Sequence, residues 1–293
     1  MAVELRINGA TIFCESVGEG RPCICLHGGP GTDASGLART LSPLAAELDL
    51  RLIFYDHRGH GRSEWVPVEQ CTQDQFVSDV EGVRQALRLG PVHVLGISWG
   101  GFLGLMYAAR HPTSIRTLAV VGAAASRDFM ARAEDNARRR ATAEQWAAYR
   151  ALWDGSLSGD TSFRRAFDTI RPLYFFDERL ATASLLLRAE IRYRLAVRKF
   201  IIDHEYPRYD CRPELGRIAC PPIYMGAPIW PPSPRLSSRP GGAVARLVNP
   251  PDPALDAGRV RAQRPLAARR GAGGVRRRAR RYFPVQRAAL SDW

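Results

Sequence analysis

The sequence predicts an α/β protein with a mostly parallel sheet, and three observations lead to this fold class. First, an Asn8-Gly9 hairpin signal separates two alternating segments at the start of the chain. Second, apolar strand-like segments and amphipathic helix-like segments then alternate up to about residue 121. Third, a Gly-x-Ser-x-Gly pattern at residues 96–100 stands between one such strand and the helix that follows it.

The elements follow from hydrophobic periodicity and turn signals. We expect strands over 3–7, 11–17, 21–26, 51–55, 92–95 and 115–121, and helices over 36–48, 73–89 and 102–110. Residues 1–125 are therefore predicted to form the core. From about residue 126 the strands stop, and 126–207 is predicted to be a helical cap, or lid, over the carboxyl ends of the strands. Residues 208–225 are predicted to return to the core, with 222–225 beginning a seventh strand.

The charge of the chain is unevenly distributed. The net charge is +13, yet residues 1–210 are almost neutral, while 211–293 hold 16 arginines against four acids. Two explanations fit residues 226–293. They are an out-of-frame translation of a GC-rich gene beginning near residue 222, or a genuine basic tail that is disordered or binds a polyanion. We favour the first, and we do not expect nucleic-acid binding, because no aromatic residues accompany the arginine run at 276–281. The last strands and the closing helix of the sheet are then expected to be degenerate or disordered.

Several functional classes are disfavoured by composition. No run of eighteen apolar residues is present, so we expect no membrane span. The first residues lack the layout of a signal peptide, so we expect a cytoplasmic protein. The six cysteines show no Cys-x-x-Cys spacing, so we expect free thiols, no metal and no cofactor. The oligomeric state stays open.

Ser98 is the candidate nucleophile. A strand that ends at Gly-x-Ser-x-Gly and leads directly into a helix is typical of a nucleophile elbow, which exposes the serine hydroxyl at a helix N-terminus. Gly96 and Gly100 would allow the sharp bend because they lack a Cβ atom. The alternative is an ordinary glycine-rich turn with an N-capping serine.

Three motifs in order carry a family resemblance, and the resemblance covers residues 1 to about 225. The chain resembles the α/β-hydrolase fold and, within it, the proline iminopeptidase-like serine peptidases and their close hydrolase relatives. One departure is His57, which stands where the family usually has glutamine. The matching stretches are His27-Gly28-Gly29-Pro30-Gly31, Tyr55-Asp56-His57-Arg58-Gly59-His60-Gly61-Arg62-Ser63 and Gly96-Ile97-Ser98-Trp99-Gly100-Gly101.

The resemblance implies roles for particular residues. Ser98 would attack a carbonyl carbon and form an acyl-enzyme. The backbone N–H groups of Trp99 and Gly29 would form the oxyanion hole. Asp154 and Glu190 would correspond to the lid carboxylates that hold the free amino group of a small peptide, amide or ester substrate. Among further loop residues, Asp56, Arg58 and Arg62 are expected to brace the structure.

The resemblance stops at the rest of the catalytic triad. The family places the acid after the seventh strand and the histidine near the C-terminus, but this chain has no histidine after His204. The triad acid and histidine are therefore unidentified, and His27, His57, His60 and His204 do not occupy the family position of the base. Three functions remain open. They are a serine hydrolase that releases N-terminal residues or cleaves a related amide or ester, an inactive scaffold with a basic interaction tail, and an esterase or other small-molecule hydrolase.

Overall fold

The sheet forms the centre of the molecule. The structure is a computed structural model that describes residues 1–175, 190–220 and 222–225. Within this part of the chain, seven strands lie in the order β1-β2-β4-β3-β5-β6-β7. Their bounds are β1 Ala2–Ile7, β2 Ala10–Val17, β3 Arg21–Leu26, β4 Leu50–Tyr55, β5 Val92–Ile97, β6 Ile115–Val121 and β7 Pro222–Met225.

Strand directions confirm the predicted fold class. β1 and β2 are antiparallel and are joined at Asn8 (φ 49°) and Gly9 (φ 82°), the left-handed conformations that a tight hairpin turn requires. β2 is also antiparallel to β4, whereas β3, β4, β5, β6 and β7 pair in parallel. The carboxyl ends of β3 and β5 therefore meet at the same edge, which brings the loops after these two strands together.

Three helices cover the sheet between the strands: α1 Ser35–Leu41, α2 Gln73–Ala86 and α3 Trp99–Arg110. α1 is shorter than the predicted 36–48, because the chain continues as a separate 3₁₀ turn, Ser42–Leu44, with a proline in its first turn. Proline lacks the N–H group that an α-helix needs at this position. In α2, Phe76, Val80 and Val83 are fully buried, as their spacing predicts.

Helices also dominate the segment after β6. They are α4 Met130–Arg140, α5 Ala143–Ala151, α6 Asp160–Ile170 and α7 Leu195–Phe200, and α7 continues into a π-helical turn, Ile201–Glu205. α5 begins with a capping box, in which Thr142 and Gln145 exchange side-chain-to-backbone hydrogen bonds. The predicted change from strands to helices near residue 126 is therefore observed. The exact domain limits, 1–125, 126–207, 208–225 and 226–293, stay predictions.

The chain then returns to the sheet. The Tyr209 hydroxyl donates to the carbonyl of Ala124 at 2.8 Å, and the Cys211 N–H donates to the carbonyl of Ala125 at 2.7 Å. β7 pairs in parallel with β6, so the predicted seventh strand is present at 222–225. The predictions for residues 226–293, namely the altered reading frame, the degenerate strands and the basic tail, lie outside the described residues.

Helices that could span a membrane, clusters of metal ligands and disulfides are all absent from the described residues. No helix among them is both long enough and apolar enough to cross a bilayer. The same residues contain no group of three histidine, cysteine, aspartate or glutamate side chains placed to hold a metal ion. All six cysteines are buried free thiols.

Candidate active site

Ser98 occupies a strained turn between β5 and α3. Its φ of 52° and ψ of −117° lie in a region that non-glycine residues rarely adopt. The backbone holds this conformation from both sides. The Ser98 N–H donates to the carbonyl of Val121 at 2.8 Å, and the Ser98 carbonyl accepts from the N–H groups of Gly101 (2.8 Å) and Phe102 (3.2 Å). The strand–turn–helix geometry is that of a nucleophile elbow.

Steric crowding explains the two glycines of the motif. A Cβ atom on Gly96 would lie 2.3 Å from the carbonyl oxygen of Gly100. A Cβ atom on Gly100 would lie 2.2 Å from the carbonyl oxygen of Leu26 in β3. Both distances are far inside van der Waals contact, and both obstacles are backbone atoms. The elbow can therefore form against β3 only with glycine at these two positions.

The loop after β3 packs directly on the elbow. A Cβ atom on Gly28 would lie 2.7 Å from the carbonyl oxygen of Ile97 and 3.0 Å from the Ser98 Cβ. Gly29 has a φ of +64°, which favours glycine. The Thr32 hydroxyl lies 2.9 Å from the Gly28 carbonyl oxygen and 2.8 Å from that of Gly29, and the Thr32 N–H donates to Gly29 at 2.8 Å. Thr32 thus fixes the turn that carries the Gly29 N–H.

Ser98, Gly29 and Trp99 line one small cavity. The first N–H groups of an α-helix have no carbonyl partner within the helix, and Trp99 is the first residue of α3. The cavity has a volume of about 20 Å³, which is room for about one water molecule. Its core side consists of Gly29, Pro30, Ser98 and Trp99, and its cap side consists of Leu152, Trp153, Phe167, Ile170, Tyr174, Arg198 and Tyr206.

Asp154 lies on a different, larger groove. This groove has a volume of about 800 Å³ and also contains Glu134 and Arg150. Asp154 is exposed, and its pKa is lowered by hydrogen bonding from the Ser156 side chain and from the Ser156 N–H, which donates to the carboxylate at 3.0 Å. Trp153 and Tyr206 line both spaces and therefore stand between them. The structure does not place Asp154 in the cavity that contains Ser98.

Glu190 is likewise separate from Ser98. Its side chain is 70% exposed and forms an ion pair with Arg39. It lies in a turn before α7. Neither predicted amine-binding acid lines the Ser98 cavity, so their assignment stays a prediction from resemblance alone.

Three of the six histidines, His27, His57 and His60, form a buried cluster beside the loop after β3. His27 Nε2 accepts the His57 N–H at 3.2 Å, so the ring proton resides on Nδ1, which lies 3.0 Å from the Gly28 carbonyl oxygen. The His60 Nδ1 lies 2.8 Å from the Arg58 carbonyl oxygen. Burial lowers the pKa of His27, lowers that of His57 well below its usual value, and lowers that of His60 to about 3. All three rings are therefore neutral at pH 7.

No histidine stands beside the nucleophile. His93 hydrogen-bonds Thr117 at 2.8 Å, His111 follows the end of α3, and His204 is exposed in the π-helical turn. The described residues include all six histidines, and none of them lines the Ser98 cavity. His27 instead holds the oxyanion loop through its two backbone contacts. Ser98 therefore has the geometry of a nucleophile without a histidine base.

The loop after β4 is braced by buried charges, as expected. The Asp56 carboxylate accepts the N–H groups of Ala34 (2.9 Å) and Arg62 (2.8 Å) and the Arg62 Nε at 2.8 Å. Arg58 is 2% exposed and binds the Asp79 carboxylate at 2.6 and 2.7 Å. These residues hold the loops in place and do not line the Ser98 cavity.

Arg198 is a site residue that the sequence interpretation missed. It lies in α7 and lines the cavity, although an arginine in a short amphipathic helix is usually a surface residue. Its burial depends on the packing of α5 and α6, which no local pattern encodes.

Known proteins resemble this chain in both sequence and structure. The model of the α/β-hydrolase fold matches residues 21–177. A probable proline iminopeptidase of Streptomyces coelicolor is 36% identical over 40% of this chain and 38% of its own length. A proline iminopeptidase of Lactobacillus delbrueckii subsp. lactis is 34% identical over 39% of this chain and 41% of its own length. Each match thus spans about two fifths of the curated relative.

Solved structures agree on the fold. A proline iminopeptidase of Mycobacterium smegmatis superposes with a TM-score of 0.58 at 24% identity, covering 77% of this chain and 81% of that one. An enol-lactonase of Burkholderia xenovorans LB400 superposes with a TM-score of 0.55 at 25% identity, covering 76% and 80%. One architecture therefore serves relatives with different names, and the fold alone does not select a substrate.

Proposed function

Because this chain belongs to the α/β-hydrolase family, we propose that it is a serine hydrolase of small amides or esters with Ser98 as its nucleophile. The observation that carries the proposal is the strained Ser98 turn facing Gly29 and Trp99 across one cavity. Strain at a single, partly buried residue that lines a cavity is typical of a functional position.

The proposed chemistry begins with attack of the Ser98 Oγ on the substrate carbonyl carbon. The hydroxyl proton passes to solvent, and the carbonyl oxygen becomes an oxyanion that accepts the N–H groups of Gly29 and Trp99. The intermediate collapses, the amine or alcohol leaves with a proton from solvent, and water then hydrolyses the acyl-enzyme. Each oxyanion donor contributes about 3 kcal/mol to transition-state stabilisation in enzymes of this type.

The proposed reaction is slow in this chain. A serine hydroxyl is a weak nucleophile without a base, and no histidine lines the Ser98 cavity. Removing triad members leaves a residual acceleration of about 10³–10⁴ over water, which arises from the oxyanion hole and binding. The reading-frame hypothesis accounts for this loss. Translation of the other two frames downstream of codon 222 should then give an aspartate after a strand and a later Gly-His pair.

The finer proposal is release of N-terminal residues from peptides, and it is supported by the family resemblance and by curated relatives that are named proline iminopeptidases. The cytoplasmic location stays a prediction from the sequence. The site supports the wider amide or ester class, since neither Asp154 nor Glu190 lines the Ser98 cavity. A catalytically inactive scaffold is the second candidate, favoured by the position of the six histidines.

A fluorophosphonate probe tests the proposal on the full chain. We expect slow covalent labelling of the peptide that contains Ser98, detected by mass spectrometry, because the elbow presents the hydroxyl to the oxyanion donors. Ser98→Ala should abolish the label, while Ser158→Ala, which removes an exposed hydroxyl in the cap segment, should retain it. Folded protein that never labels at Ser98 would refute the hydrolase and favour the inactive scaffold.

A further inference from the structure

Arg198 is a buried cation in the cap side of the Ser98 cavity. Its side chain projects from α7 and the residue is only 4% exposed. A guanidinium has five N–H donors and almost always remains charged. Burial lowers the pKa of Arg198 to about 10, which still leaves the group protonated at pH 7. A full positive charge therefore borders the space above the nucleophile.

The contacts of Arg198 satisfy only part of this charge. Its Nη2 donates to the carbonyl of Leu152 at 2.7 Å. Its Cζ lies 5.1 Å from the ring centroid of Trp153 and 5.2 Å from that of Phe163. Across residues 1–175, 190–220 and 222–225, no carboxylate forms an ion pair with it. One neutral carbonyl and two aromatic faces compensate a buried guanidinium only weakly.

Arg58, which is also buried among the described residues, has a different set of partners. Arg58 is 2% exposed and binds both oxygens of Asp79. A bidentate carboxylate is the partner that best fits a guanidinium. Arg58, which braces the core, therefore has a carboxylate partner. No carboxylate among the described residues forms such a pair with Arg198.

Space for a ligand lies next to Arg198. The Ser98 cavity holds about 20 Å³, and of the described residues Trp153 and Tyr206 line both this cavity and the groove of about 800 Å³. Pockets for small ligands usually have volumes of about 300–1,000 Å³. Movement of these two aromatic side chains would join the two spaces and admit a ligand to both Ser98 and Arg198.

We propose that Arg198 binds a carboxylate of the substrate, so that the Ser98 site selects small esters or amides whose acyl group ends in a carboxylate. This inference rests on the proposed hydrolase function. The incoming carboxylate supplies the ion-pair partner that the described residues do not, and it places the substrate carbonyl between Ser98 and the oxyanion donors. A substrate with a free amino group at the same place would meet a like charge, which opposes binding.

Three methyl esters of similar length test the charge preference. They are monomethyl adipate (anionic), dimethyl adipate (neutral) and methyl 6-aminohexanoate (cationic). Their dissociation constants are measured from tryptophan fluorescence, since Trp153 contacts Arg198, and from protection of Ser98 against the fluorophosphonate. We expect the anion to bind about 100-fold more tightly than the neutral ester and the cation to bind most weakly.

Variants of the full chain separate the charge from the packing. Arg198→Gln should remove the preference for the anion, whereas Arg198→Lys should keep it in weakened form. Arg194→Gln is the matched control. Arg194 also contacts an aromatic ring, that of Trp65, but it does not line the cavity, so the preference should persist.

Each outcome decides the proposal. A neutral or cationic ester that binds the unmodified chain at least as well as the anion overturns it, whatever the variants do. Folded Arg198→Gln protein that keeps the preference also overturns it. If Ser98 never labels while the fluorescence still ranks the anion first, the hydrolase function fails and the carboxylate site stands.

Discussion

The two sides of the Ser98 cavity are built in different ways. The core side is held by backbone hydrogen bonds and by glycines with no space for a side chain. In the core that supports it, outside the cavity lining, the buried Arg58 has a carboxylate partner in Asp79. The cap side is made of side chains, chiefly aromatic ones, and its buried Arg198 has one carbonyl partner and two ring faces.

This difference suits the two sides of the cavity to different tasks: the core side fixes the positions of reacting groups, and the cap side is proposed to contact the substrate. A backbone-built surface has one arrangement, which suits groups that must point at a reacting atom. An aromatic surface with a buried cation is more adaptable and is incomplete until an anion fills it. The core side therefore keeps Ser98 and its donors in place, and the cap side is where substrate preference is expected to arise.

The largest expected effect is the pH dependence of the core side. His57 and His60 are neutral in the folded protein because burial lowers their pKa values. In the unfolded chain they bind protons below about pH 6.5, so the unfolded state gains protons and stability falls as pH falls. Between pH 7 and pH 5 the free energy of unfolding should drop by about 4 kcal/mol from these two groups together.

His57→Gln tests this pH dependence. Glutamine is the residue that the family usually carries here, and it has no proton to gain in this range. Urea unfolding at pH 5, 6 and 7 should show a loss smaller by about 2 kcal/mol in the variant. Equal pH slopes for the two proteins would show that His57 is not held neutral by the fold.

The next effect concerns the paired arginine. Arg58→Met leaves the Asp79 carboxylate buried without its cation, although Asn8 still donates to it at 2.9 Å. The free energy of unfolding should fall by about 3 kcal/mol, measured by urea denaturation. Arg21→Met is the control, because its partner Asp49 is 81% exposed, and it should cost less than about 1 kcal/mol. Similar losses in both variants would contradict the contrast between buried and surface pairs.

The smallest expected effect is on the cap side. Arg198→Met keeps the aliphatic packing and leaves no described carboxylate unpaired, so stability should change by less than about 1 kcal/mol. The unfolding midpoint in urea, compared with that of Arg58→Met, measures the difference. A loss as large as that of Arg58→Met would mean that Arg198 is a structural arginine, and the two sides of the cavity would not differ in this respect.

The sequence by itself determined the sheet, the elbow and the return to the core. The Asn8-Gly9 hairpin, the amphipathic pattern of α2 and the glycines around Ser98 are local signals, and each acts within a few residues of where it is read. The sequence also shows directly that no histidine follows His204.

Only the tertiary structure decided what lies around Ser98. Asp154, Glu190 and Arg198 all belong to the cap segment, and their sequence neighbourhoods do not say which of them lies inward. The packing of α5, α6 and α7 places the two acids away from the cavity and the cation against it. Burial is set by contacts between segments that are distant in sequence. The residues next to a single charged residue therefore do not show whether it faces the cavity or the solvent.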